Sequence, residues 1–233
     1  MKTVIVVQAR LGSSRLPCKT LLSLHDVPVI DWIVSRCRRS QLADELVVAL
    51  PDCRRDDVLE RHLQKLGVAT WRGPEQDVLA RMHGAAAAHG ADTVVRVCAD
   101  NPLIWGGEID NLIRFYRSES SAGRCDYAYN HVPKGNLYPD GLGAEITSFA
   151  IFTRMLNEAS LPSQREHCMN YIVDNPKMFK IRTFDPVNPV LRRPELKLDM
   201  DTAEDFINLA LLDVTPESTP EEIVALFPPK NGR

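Results

Sequence analysis

The feature that most constrains this chain is an alternation in its first half. Lys2–Gln8 is a compact β-branched run that predicts a buried strand. Pro28–Arg39 then places Val29, Ile30, Ile33, Val34 and Cys37 on one helical face. Glu45–Leu50 reads as the next strand, and Asp56–Leu66 as a helix with Val58, Leu59, His62, Leu63 and Leu66 at helical spacing. Val68–Trp71 is a short strand, Gln76–His89 an alanine-rich helix and Thr93–Cys98 a strand. Strands and helices taking turns in this way predict a mostly parallel sheet with helices on both faces, a three-layer α/β/α arrangement.

The second half is less regular. Ile109–Tyr116 looks helical, while Asp126–Tyr138 mixes aromatics with Pro and Gly and has no clear period. Gly143–Thr147 suggests a strand and Phe149–Ala159 a helix. Pro162 can open another helix running to about Asn175, because proline suits the first helical turn. Phe179–Phe184 and Leu196–Leu198 suggest strands. Thr202 with Asp205, and Thr219 with Glu222, read as reciprocal caps opening two more helices. With no repeat or linker in 233 residues, the simplest organisation is one domain, 1–233, with a subdomain inserted at about 124–185.

Composition narrows the partners. A net charge of −3 provides no global basic field, so a nucleic-acid partner is not expected. The apolar run Val4–Val7 is too short for a signal-peptide core or a membrane span, so a cytoplasmic protein without membrane contact is expected. The 6 cysteines are scattered with no CxxC, which predicts reduced thiols and neither a zinc site nor a disulfide framework.

An open parallel sheet binds ligands beyond the carboxyl ends of its strands. Following each predicted strand outward leads to Arg10–Lys19, Pro51-Asp52, Arg72-Gly73-Pro74 and Ala99-Asp100-Asn101-Pro102. The first segment holds the cations Arg10, Arg15 and Lys19 and no acid, and its Gly12, Ser13 and Ser14 amides could cradle phosphate oxygens. The competing reading is a solvated loop whose cations pair with nearby acids. A Walker A loop is excluded because Cys18 and Ser13 stand where glycines are required. The dinucleotide fingerprint fails because Gly12 is the loop's one glycine. Asp100, directly after a buried strand and facing such a loop, suits Mg²⁺, an Asx turn, or a salt bridge to the loop. Asp199 and Asp201 alternate along an extended segment and so point the same way, with helix-start electrostatics as the other account of Asp201.

At these residues a family resemblance emerges. Gln8-Ala9-Arg10-Leu11-Gly12-Ser13-Ser14-Arg15-Leu16-Pro17, followed by Lys19, resembles the first-loop signature of the cytidylyltransferase family. That family includes the CMP-Kdo and CMP-sialic acid synthetases, and the closer branch is the one named for spore coat polysaccharide biosynthesis protein SpsF. Arg96–Ile104 resembles the second motif, and Tyr138-Pro139-Asp140-Gly141-Leu142 with Glu145 the third. Arg165-Glu166-His167 and Asp199-Met200-Asp201-Thr202 with Asp205-Phe206 complete the set, over residues 1–212. Arg72-Gly73 with Asp77-Val78-Leu79 and Arg81 resembles the branch's segment after the third strand. Position 18, usually glycine in this branch, is Cys18 here, and the sugar-binding signatures of the Kdo and sialic acid enzymes are not evident in residues 120–170.

The resemblance implies a Rossmann-like nucleotidyltransferase domain that moves CMP from CTP to a sugar-type acceptor, releasing pyrophosphate, for surface polysaccharide biosynthesis. By the same resemblance Arg15, Lys19, Asp100 and Asp201 would be catalytic. Gln8, Ala9, Arg10, Leu11, Gly12, Ser13, Ser14, Arg15, Lys19, Ala99 and Asp100 would line the nucleotide. Mg²⁺ would sit on Asp100 and Asp201, with Asp199 auxiliary. Arg72, Asp77 and Arg81 are candidates, by position, for reading cytosine. Tyr138, Asp140, Glu145, Arg165 and His167 are candidates for the acceptor. The 124–185 insertion would bind the acceptor and mediate a homodimer. A sugar-phosphate nucleotidyltransferase using another NTP, and a nucleotide-binding module without catalysis, stand as alternatives.

Overall fold

The computed structural model describes residues 1–228. Residues 229–233, the end of the expected 1–233 domain, lie outside the described residues. The chain runs β1 (Thr3–Gln8), β2 (Ser23–Leu24), β3 (Val27–Pro28), α1 (Val29–Cys37), β4 (Glu45–Pro51), α2 (Asp57–Lys65), β5 (Ala69–Gly73), α3 (Val78–Ala88) and β6 (Thr93–Cys98). It continues through α4 (Gly106–Ser121), β7 (Tyr127–Tyr129), β8 (Glu145–Ser148), α5 (Phe149–Glu158), α6 (Pro162–Glu166), α7 (Asn170–Asp174), β9 (Ile181–Thr183), α8 (Ala203–Ala210) and α9 (Pro220–Ala225).

Seven strands form one sheet in the order β5-β4-β1-β6-β8-β7-β9. The first four are parallel, as the alternation predicts. β8 then pairs antiparallel with both β6 and β7, and β9 rejoins β7 in parallel. Both faces are buried. On β1, Ile5 and Val7 enter one core with α1, α2 and α4, while Val4 and Val6 enter the other with α3 and α5. Successive side chains on a strand point to opposite faces, so a β-branched run buried on both sides supplies both layers. The segment 124–185 contributes β7, β8 and β9 to this sheet. Among the described residues, no helix is long and apolar enough to cross a membrane.

Several local expectations are revised. The helix expected over 162–175 is two short ones, α6 and α7, separated at His167–Met169. His167 leaves the helical region at φ −103 and ψ 83, and Cys168 and Met169 turn into the core instead of continuing a surface helix. In α2 only Leu59 and Leu63 are buried, whereas Val58 and Leu66 are exposed. This helix packs beside β5, the edge strand, so its apolar stripe is narrow. Leu196–Leu198 forms a single bridge, Lys197 to Asp140, and no full strand. The β2–β3 hairpin turns through His25 and Asp26, both at positive φ without glycine, which is why its sequence carries no turn signal. The caps are as expected: Thr202 pairs reciprocally with Asp205 and Thr219 with Glu222.

Two features place the chain beyond the strand ends. Arg36 is fully buried and donates to four carbonyls, those of Leu103, Ile104, Pro216 and Ser218, at 2.7–3.1 Å. It thereby ties the segment after Asp100 to the C-terminal region. Gly141 has φ 94, and a Cβ there would lie 2.7 Å from the Asp199 amide nitrogen. Only glycine lets the 140 segment approach 198–199 so closely. Gly141→Ala is expected to cost ~1–3 kcal/mol of stability in urea unfolding. An unchanged unfolding free energy would show that the approach is not constraining.

Candidate active site at the parallel strand ends

The loop after β1 is held from several sides. The Leu11 amide donates to Asp56 at 2.7 Å, and the Cys18 amide to the Leu11 carbonyl at 3.0 Å. Asp56 is itself fully buried and also accepts from the Cys53 thiol at 3.0 Å. Gly12 lies against Arg55, where a Cβ would come within 2.5 Å of the guanidinium. Cys18 sits at φ 57. That left-handed conformation suits glycine, and an L side chain there is strained.

Every cation of the loop meets an acid. Lys19 Nζ lies 3.1 Å from Asp100, 3.4 Å from Asp201 and 3.1 Å from the Met200 carbonyl. Arg15 pairs with Asp201 at 2.8 Å, and Arg10 with Glu166 at 3.6 Å. The Met200 amide donates to the Asp100 carbonyl at 2.7 Å, which fixes the two acidic segments side by side. The capping contact from Asp205 to the Asp201 and Thr202 amides, at 3.0 and 2.8 Å, orients Asp201 from behind.

Two cavities meet at these acids. One, of about 400 Å³, is lined by Gln8, Arg10, Ser13, Ser14, Arg15, Lys19, Ala99 and Glu166. The other, of about 370 Å³, is lined by Asn101, His131, Asp140, Glu145, Asn170 and Asp199. Arg96, Cys98, Asp100, His167 and Asp201 line both.

The remaining candidates stand elsewhere. Ala9 and Leu11 are core residues beneath the loop. Tyr138 is fully buried and donates to Glu108 at 2.7 Å, packing edge-on against Phe184. Arg165 donates to the Ala159 carbonyl at 2.9 Å and pairs with Asp77 at 3.3 Å. Asp77 is the N-cap of α3, accepting from the Ala80 amide at 2.9 Å. Arg72 is engaged with Asp57 and the Cys53 carbonyl, both at 2.8 Å, and with Glu60. Arg81 is fully buried and donates Nη1 to the Pro74 and Glu75 carbonyls, while its Nε and Nη2 have no partner. Burial, with Arg10 nearby, pulls its guanidinium down to about 10.

Arg96 is a functional candidate that sequence reasoning passed over, although an arginine inside the buried run Thr93–Cys98 is itself a signal. It faces Glu145 across the β6–β8 pairing, and the two form a buried ion pair. Glu145 also accepts from the Tyr127 hydroxyl. Burial pushes the Glu145 carboxyl up, but Arg96, His131 and the Tyr127 hydrogen bond outweigh it and hold the group below its ordinary value. Asp140 behaves in the opposite way. Burial first, then the neighbouring Asp199, Asp100 and Asp201, push it up to about 6 despite Lys197. Asp199 is raised by burial and by Asp201 and Asp100. Its Oδ1 is buried without a hydrogen-bond donor, although Lys197 Nζ stands 3.4 Å away as a counter-charge. Among the described residues, no three His, Cys, Asp or Glu side chains already converge as a metal-ligand set.

Comparison with known proteins fits this geometry. The family model for cytidylyltransferases matches residues 4–218. Spore coat polysaccharide biosynthesis protein SpsF of Bacillus subtilis is 28% identical over 233 residues, covering 96% of this chain and 93% of that protein. A cytidylyltransferase from Leptospira borgpetersenii superposes with a TM-score of 0.86 at 27% identity, covering 97% of this chain and 93% of that one. A CMP:2-keto-3-deoxy-manno-octonic acid synthetase, solved with CTP, shares the fold at a TM-score of 0.68 and 20% identity over 90% of this chain and 97% of that one. The strand order, the loop after β1 and the acids beyond β6 thus occur in a chain that belongs to the cytidylyltransferase family and is a nucleotidyltransferase.

Proposed function

We propose that the protein moves CMP from CTP to a sugar-type acceptor with release of pyrophosphate, in surface polysaccharide biosynthesis. The observation that carries this reading is the meeting of two cavities at Asp100 and Asp201, one lined by the cationic loop and the other by mainly polar residues. The SpsF relative supports the polysaccharide context, and the structural neighbour solved with CTP supports the nucleotide.

On this reading the triphosphate enters the loop cavity, where Arg10, Arg15 and Lys19 exchange their acid partners for phosphate oxygens. Ser13 and Ser14 line the same cavity, where their amides would be available to the anion. The three base-reading candidates line neither cavity: Arg72 and Asp77 are already engaged, and Arg81 is fully buried with its Nε and Nη2 unpartnered. The acceptor occupies the second cavity, with Asp140, His167, Asn101 and Asn170 available for its hydroxyls.

A divalent ion fits the junction. Four carboxylates, Asp100, Asp140, Asp199 and Asp201, gather there; burial and then the charges of the others raise Asp140 and Asp199, and Asp199 keeps a buried oxygen without a hydrogen-bond donor. Asp100 and Asp201 would hold Mg²⁺, with Asp199 alongside; once bound, the ion supplies neutralisation of phosphate charge and polarisation of the α-phosphate. The chain's own residues do the rest: Lys19 and Arg15 hold the departing pyrophosphate oxygens, and the acids keep the acceptor oxygen near the α-phosphate. Catalysis of this kind is mostly positioning and charge stabilisation. A homodimer, with segment 124–185 serving acceptor and partner, and a cytoplasmic location accompany this reading.

Asp100→Asn and Asp201→Asn are each expected to lower acceptor-dependent pyrophosphate release from CTP by ~10²-fold or more while circular dichroism stays unchanged. Near-normal turnover in either would remove that residue from the metal site. A panel of the four NTPs scored by thermal shift with Mg²⁺ is expected to favour CTP, and a purine preference would overturn the cytidine part.

A pH dependence follows from Asp140. Its carboxyl is raised in the folded chain, so the native state holds a proton that the unfolded state releases. Metal-free stability should therefore fall as pH rises from about 4 through about 6, and Asp140→Asn should flatten that decline. Parallel urea-unfolding curves for the two proteins across this range would refute the assignment.

A further inference from the structure

Arg96 occupies an unusual place, because it lines both cavities while belonging to the buried sheet. Its Nη1 is committed to Glu145, so the guanidinium is a neutralised partner and no free anion receptor. Its other edge addresses Gln8, the last residue of β1 and the one just before the phosphate loop. Nε and Nη2 donate to Gln8 Oε1 at 3.3 and 3.0 Å. A guanidinium offers only donors. It therefore fixes which end of the Gln8 carboxamide faces it and turns the NH₂ end away, and Gln8 borders the loop cavity. The backbone leaves Gln8 little freedom, since its carbonyl accepts from the Ala99 amide at 3.1 Å.

We propose that Arg96 is a positioning residue for nucleotide transfer: anchored by Glu145 on the acceptor side, it holds the Gln8 amide as a hydrogen-bond donor to the bound nucleoside triphosphate. This inference rests on the nucleotide reading of the loop cavity given above. It also links the two cavities through a chain of named contacts, Tyr127–Glu145–Arg96–Gln8.

The test is CTP binding by titration calorimetry with Mg²⁺, alongside melting temperatures. Gln8→Leu removes the donor at similar volume. Arg96→Lys keeps the charge opposite Glu145, but one ammonium does not reproduce the two-pronged grip on Gln8. Each is expected to weaken CTP by about 10- to 100-fold. The double variant is expected to bind no worse than the weaker single, because both remove the same contact. Gln8→Glu guards against misfolding. It retains an acceptor for Arg96, so the melting temperature holds while CTP binding falls. Additive losses in the double variant would overturn the proposal, and so would unchanged binding in Gln8→Leu or Gln8→Glu. Failure of the unaltered protein to bind CTP would overturn the nucleotide reading itself, whereas normal binding by the protein and its Gln8 variants alike would overturn this inference alone.

Discussion

The buried pair of Arg96 and Glu145 is the constraint on which the rest of the site depends. The two residues face each other where the sheet changes from parallel to antiparallel, at the join of β6 and β8. On one side lie β1, β4 and β5, whose carboxyl ends carry the cationic loop and its supports. On the other lie β7, β8 and β9, which bring in the polar residues of the second cavity. Burying two charges is costly unless each satisfies the other, and removing one partner of such a pair costs ~3–5 kcal/mol. The register of β6 against β8 is thus tied to chemistry as well as to apolar packing. A slip by one residue would turn Glu145 to the opposite face and strand Arg96.

A second layer of order comes from backbone approach. Gly141, with its positive φ, lets the 140 segment touch 198–199, and the Met200 amide meets the Asp100 carbonyl. Three stretches far apart in sequence thereby deliver Asp100, Asp140, Asp199 and Asp201 to one place. The reciprocal cap between Thr202 and Asp205 stiffens the last of them from behind. Lys197 meets both Asp199 and Asp205, so the acids farthest from the loop also have a counter-charge.

Much of this was legible in the sequence, and the exceptions have physical reasons. The parallel half could be read because each strand is a continuous β-branched run and each helix keeps one apolar face. The caps at Thr202 and Thr219 are local patterns, so they could be read as well. β7 could not, because three residues of strand acquire meaning only when paired with β8 and β9. The break between α6 and α7 arises because Cys168 and Met169 are drawn into the core, a tertiary effect with no local marker. At the site, motif spacing led to Lys19, Asp100 and Asp201. It also gathered Tyr138 and Arg165, whose polar groups are committed elsewhere to Glu108 and Asp77. Arg96 was overlooked because a charge within a hydrophobic run is visible while its partner, 49 residues along the chain, is not.

The clasp of Lys19 and Arg15 on Asp100 and Asp201 has a consequence for turnover. These acids already face positive charge before any substrate arrives. On the proposed reading, an incoming metal–nucleotide complex swaps one set of counter-ions for another, much as a resin exchanges cations. Once the products leave, the lysine and arginine would fall back onto the same oxygens. The empty enzyme thus returns to the same ion pairs from which it started.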